Sequence, residues 1–162
     1  MFCNDTIPLV SNVQTTMTEH VLAPIGSFTP WARAIAHAIT DVEDPKSVVV
    51  TLLHVETEPD ETTDTSEASL DQRARNCSSV STVAEIIGNS GFDVTIHGRA
   101  ADNLGEAILN TAETRETDRL YMHARRRSPT GKAVYGSTIQ HVLTNAPVPV
   151  VVVPSSAIGS LT

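Results

Sequence analysis

At 162 residues and 40% hydrophobic content, the chain is long enough for one compact domain with a sizeable core and too short for two ordinary ones. Acids outnumber Lys and Arg by 19 to 11, a formal net charge of −8, which argues against the unspecific phosphate attraction behind general DNA or RNA binding. Cys3 and Cys77 form neither a CxxC pair nor a zinc spacing, and no apolar run reaches membrane-spanning length, so a cytoplasmic protein with no nucleic-acid or membrane partner is expected.

Residues 1–17 are rich in Thr, Asn and Ser without periodicity and lack the basic start and apolar centre of a signal peptide. They read as a loose tail, with Met17 a candidate natural start. A short buried-type strand follows over His20 to Ile25. Residues 30–40 then space Trp31, Ala34, Ile35, Ala38 and Ile39 as a helix does, with Pro30 in the first turn. The β-branched run from Ser47 to Val55 predicts a central strand covered on both faces. Residues 56–67 hold six acids and no base, which predicts a solvated, mobile connection. Leu70, Ala74, Cys77, Val80, Val83, Ala84 and Ile87 recur at three and four, predicting one helix that stops near Gly88 to Gly91. A strand over 92–97, a helix over 104–115, a strand over 120–123, a helix over 138–145 and a strand from Val148 to Val153 complete the series. Five strands alternating with four helices predict a parallel α/β sheet with helices on both faces.

In such a sheet, ligands bind beyond the carboxyl ends of the strands where the strand order reverses. This points to the loops around 24–30 and 123–137. Gly136 permits close backbone approach, and Ser137 and Thr138 add hydroxyls and N–H groups at a helix start, a setting that favours phosphate. Ser137 serving merely as an N-cap is the plainer alternative. Arg125, Arg126, Arg127 and Lys132 concentrate positive charge in one loop, suited to clamping phosphate oxygens or to pairing with the acidic 56–67 segment or a partner. Thr130-Gly131-Lys132 fails as a Walker A ending, because Ala133 replaces the needed hydroxyl and Arg126 the leading glycine. The six histidines are scattered without ligand spacing; His54 and His97 read as satisfied structural residues, and Cys77 as core. No general base is assignable near the phosphates except His123, so no enzymatic activity is expected. The low lysine count, Lys46 and Lys132 alone, resembles salt-adapted cytosolic proteins, although an ordinary acidic protein fits as well.

Over about residues 18–154 the chain resembles the universal stress protein (UspA-like) family. The resemblance is carried by Val21-Leu-Ala-Pro-Ile25, Thr51-Leu-Leu-His-Val55, the fourth-strand loop from Met122 onward, and the closing Asn145-Ala-Pro-Val-Pro-Val-Val-Val-Val153. It implies a Rossmann-like, adenine nucleotide alpha hydrolase-like fold with strand order 3-2-1-4-5, and a domain over 18–154 followed by a C-terminal tail over 155–162. One branch of the family binds ATP through three glycines, a hydroxyl, an Asp after the first strand and a valine ending the second. The third glycine, the hydroxyl and the valine fall on Gly136, Ser137 and Val55. The other two glycines fall on His123 and Arg126, and the Asp on Gly26.

The resemblance therefore implies a stress-response regulatory module with an altered pocket for ATP (with Mg²⁺), AMP or another anion. Pro24, Gly26, Ser27, Val55 and Met122 would lie around the base, and Arg126, Arg127, Gly136, Ser137 and Thr138 around the phosphates. The alternative is a closed pocket, no nucleotide, and a module that binds a protein partner. A homodimer through the strand Val148 to Val153 is implied in either case.

Overall fold

The computed structural model describes residues 17–125 and 135–154; the tails, Arg126, Arg127 and Lys132 lie outside the described residues. The elements in chain order are β1 (Glu19–Pro24), α1 (Thr29–Val42), β2 (Val48–Glu56), α2 (Glu67–Asn76), α3 (Ser78–Asn89), β3 (Asp93–Ala100), α4 (Leu104–Thr114), β4 (Arg119–Ala124), α5 (Ser137–Asn145) and β5 (Val150–Pro154). All five strands are parallel, in the order β3-β2-β1-β4-β5, as expected. Among the described residues no helix is long and apolar enough to cross a membrane.

Alternation along the strands splits the core into two layers. Val21, Ala23, Val50 and Leu52 face α1 and α3, where Ile35, Ile39, Val80, Val83 and Ile87 close one core. Leu22, Leu53, Leu120 and Met122 face α4 and α5, where Ile108, Ala112, Ile139 and Val142 close the other. Full burial of each large aliphatic side chain contributes about 1.5–3 kcal/mol, so the central strands, covered on both faces, dominate the stability. Ala32, Ala34 and Ala36 are buried along α1 and add little bulk, which favours a close seat for this helix.

The single helix expected over 70–87 is two, so the described residues hold five helices where four were expected. The chain is extended at Cys77 (φ −69°, ψ 123°), which ends α2 and opens α3. The Asn76 to Ser79 segment consists of weak helix formers whose side chains compete for local hydrogen bonds. Both halves nevertheless keep the same apolar stripe, Leu70 and Ala74 before the break and Val80, Val83 and Ile87 after it. Cys77 is only half-buried at this corner, where its Sγ lies 3.2 Å from Ser79 Oγ. The helix stops as expected, with Gly91 at φ 92° and the Phe92 N–H returning to the Ile87 carbonyl at 3.3 Å.

The break lets α2 lie against the edge strand β3. Gly98 passes beneath Leu70, where an added Cβ would come within 2.1 Å of the Leu70 carbonyl oxygen. Beside it, Asp71 Oδ1 accepts the Gly98 N–H at 2.7 Å and so caps a donor on the open edge of the sheet. The acidic connection is exposed over most of its length yet locally ordered. Asp60 and Asp64 accept the N–H groups of Thr62 and Ser66 at 3.2 and 2.9 Å, and Arg73 from α2 holds Glu56 through bonds of 2.7 and 3.1 Å.

At the amino ends of the strands, Glu43 closes α1 and is only 7% exposed. Arg119 donates to both of its oxygens at 2.8 and 2.7 Å, the Tyr121 hydroxyl donates at 2.6 Å, and the same guanidinium reaches Glu19 at 2.6 Å. Burial pushes the Glu43 carboxyl up, but the hydrogen bonds from Arg119 and Tyr121 and the Arg119 charge outweigh it and hold the group below the usual range.

Candidate functional site

At the opposite, carboxyl ends of the strands, β1 and β4 diverge to feed helices on opposite faces of the sheet. Between them lies a cavity of about 460 Å³, within the range of small-molecule sites. The β1 turn forms one side. His54 Nδ1 lies 2.9 Å from the Ile25 carbonyl, and the Ser79 hydroxyl donates to the Gly26 carbonyl at 2.6 Å. The turn is thereby fixed from β2 and from the start of α3. His54 is the satisfied structural histidine expected of it. Ser79, fully buried, gave no signal in the sequence, which hid the helix break beside it.

The start of α5 forms the other side. Gly136 is its N-cap (φ −61°, ψ 161°), so Ser137 is the first helical residue and not the cap considered for it. Among the described residues no side chain caps this terminus, and its first turn carries no acid. Its leading N–H groups and the positive end of the helix dipole remain suited to an anion.

Pro24, Gly26, Ser27, Val55, Met122, Gly136, Ser137 and Thr138 all line this one cavity, so the structure brings together every expected site residue that is described. Arg126 and Arg127 lie outside the described residues, while Arg125 reaches the lining. Around Gly26 a Cβ would meet nothing within 4 Å, so the position has room for a side chain.

Three rings form one wall of the site, and of these Phe28 and Trp31 were not anticipated there, whereas His123 falls at a family glycine position. Phe28, 52% exposed at the rim, meets Trp31 edge-on at 4.8 Å, and Trp31 stacks on His123 at 4.6 Å with the planes 12° apart. All three line the cavity. Such contacts add about 0.5–1.5 kcal/mol each to area burial and make a flat, polarisable wall. Burial lowers the His123 pKa, so the imidazole is neutral at pH 7 and the stack is an aromatic one. The spacing of Phe28 and Trp31 across the first turn of α1 was the available signal; their meeting with His123 depends on strand order.

An open parallel sheet with its cavity at the reversal of strand order defines a doubly wound α/β protein. The model of the Universal stress protein family matches residues 17–154, and the chain belongs to that family.

Solved structures agree in fold. A universal stress protein from Archaeoglobus fulgidus superposes with a TM-score of 0.67 at 20% identity, over 85% of this chain and 99% of that one. A universal stress protein in complex with cAMP gives 0.62 at 13% identity, over 86% and 98%. A universal stress protein from Archaeoglobus fulgidus in complex with dAMP gives 0.59 at 16% identity, over 85% and 98%. Comparison with curated proteins gives no significant match.

Proposed function

We propose that the protein is a non-enzymatic, stress-response regulatory module whose cavity takes an adenine nucleotide, ATP with Mg²⁺ or AMP. The observation that carries this reading is one cavity joining an apolar, aromatic end to a helix start that no described side chain caps. Val55, Met122 and Trp31 suit a base, and the α5 terminus suits phosphate. Relatives crystallised with cAMP and dAMP support the ligand class. The base contacts are assigned to Pro24, Gly26, Ser27, Val55 and Met122, and the phosphate contacts to Gly136, Ser137 and Thr138 with Arg126 and Arg127. No base or nucleophile is assigned; His123 is neutral but engaged in the ring stack.

Calorimetric titration of ATP, ADP and AMP, with and without Mg²⁺, tests this reading, and the fluorescence of Trp31, the sole tryptophan, supplies a second readout. The wild type should bind. Arg126→Gly should weaken ATP by about tenfold, the effect of losing one charge-assisted contact. Gly26→Asp should bind more tightly, because that position, where the family's ATP-binding pattern has an Asp, has room for a carboxylate. Silence from the wild type, with binding gained in Arg126→Gly, would leave the competing reading: a closed pocket in a module that recognises a protein partner. The imidazole and guanidinium at family glycine positions favour that second reading.

The module is further proposed to form a homodimer through β5. Val150, Val151 and Val152 are only partly covered, and β5 is an edge strand. Light scattering on the eluting protein should give twice 17.3 kDa, and a monomer mass at micromolar concentration would remove the proposal.

A further inference from the structure

Away from the cavity, at the sheet edge, three side chains from α2 and β3 converge. Glu67 and Asp71 are one helical turn apart on α2, which places both carboxylates on one face. His97 on β3 meets them, and donor atoms of the three residues all lie within 4.8 Å of one another. His97 Nδ1 is buried and has no hydrogen-bond partner; Asp71 Oδ1 is 3.3 Å away but outside bonding geometry. The expectation that His97 is a satisfied structural residue is therefore corrected. Buried polar atoms are nearly always paired, so an orphaned imidazole nitrogen facing two carboxylates calls for an explanation.

We infer that Glu67, Asp71 and His97 form a binding site for a divalent transition-metal ion of the zinc type. One imidazole nitrogen and two carboxylates make the mixed donor set that zinc and its first-row neighbours accept, whereas Mg²⁺ and Ca²⁺ seek oxygen ligands throughout. Three protein ligands leave a fourth position for water. The Gly98 N–H already orients Asp71 Oδ1, a supporting bond of the kind that fixes ligand geometry in metal sites. Glu67 is exposed, so an ion has a path in and the carboxylate has the rotamer freedom to close on it. The Arg115 charge also acts on the imidazole and opposes a cation, but it is a single charge set against two carboxylates. An ion here would fasten the first turn of α2 to the edge strand.

The test uses the full chain, freed of metal, with Zn²⁺ and Co²⁺ as probes. Zn²⁺ should bind one per chain and raise the melting temperature by mass action, and Co²⁺ should give the visible absorption of a low-coordinate site. Glu67→Gln and Asp71→Asn should each bind Zn²⁺ at least tenfold more weakly. Glu67→Gln alters only an exposed side chain, so it decides the matter even if Asp71→Asn folds poorly. Unchanged melting with Zn²⁺ would overturn the proposal. So would equal stabilisation by Mg²⁺, which would report screening of the net charge, or wild-type affinity in Glu67→Gln, which would put the ion on other histidines.

Discussion

Replacing Arg119 by methionine should destabilise the protein by about 3 kcal/mol, the lower end of the range for breaking a buried ion pair. Methionine keeps much of the stem but leaves the Glu43 carboxylate, 7% exposed, with Tyr121 as its remaining partner in the network. Arg119 itself is 24% exposed, so water moderates the loss. Combining Arg119→Met with Glu43→Gln should recover at least half of it, since the buried charge is then gone as well.

Urea midpoints measured against pH should show both linked titrations. Glu43 has a folded-state pKa below its unfolded value, so its contribution is complete above about pH 4.3 and is lost as pH falls through the folded value. Tyr121 is shifted the other way, by burial and by its bond to Glu43, so its contribution is complete below about pH 10 and is lost above it. Tyr121→Phe should abolish the alkaline limb and spare most of the acid one. A loss under about 1 kcal/mol in Arg119→Met would mean that Glu43 finds water when its partner leaves. Because this network lies at the amino ends of the strands, ligand affinity per folded molecule should not change in any of these variants.

Gly98→Ala should cost about 3 kcal/mol or more through overpacking. The added methyl would lie 2.1 Å from the Leu70 carbonyl oxygen and 2.8 Å from the Asp71 nitrogen. These are backbone atoms of α2, so no rotamer change relieves the clash and the whole helix must lift. The glycine is held there by space, its backbone being that of an ordinary strand. Lifting α2 would also uncap the Gly98 N–H on the sheet edge. Denaturant midpoints should report the stability loss, and limited proteolysis should cut first within residues 57–66, where the exposed connection enters α2. Wild-type stability in this variant would show that the helix can slide along the edge at little cost.

Much of the architecture could be read from the chain. The run from Val48 to Val55 is apolar and β-branched because it is buried on both faces, and strand order follows from the resemblance carried by four short motifs. The helix break at Cys77 was hidden because periodicity reports which face is buried and not whether the backbone is continuous. The cavity residues were legible for the same reason as the fold: strand ends and helix starts are local features. What joins distant segments was not legible. The stack of Trp31 on His123, the Ser79 bond to Gly26 and the meeting of His97 with Asp71 each need the register of separate elements, which a single sequence does not print.

The β1 turn sets a polarity on whatever enters the cavity. The carbonyl oxygens of Ile25 and Gly26 are already engaged, one by His54 and the other by Ser79. A guest that approached this side as a donor would have to share an oxygen in use. The start of α5, by contrast, presents N–H groups. The two walls therefore differ: the helix start gives hydrogen bonds and matches the oxyanions of a guest, whereas the β1 turn has its two carbonyls already in use.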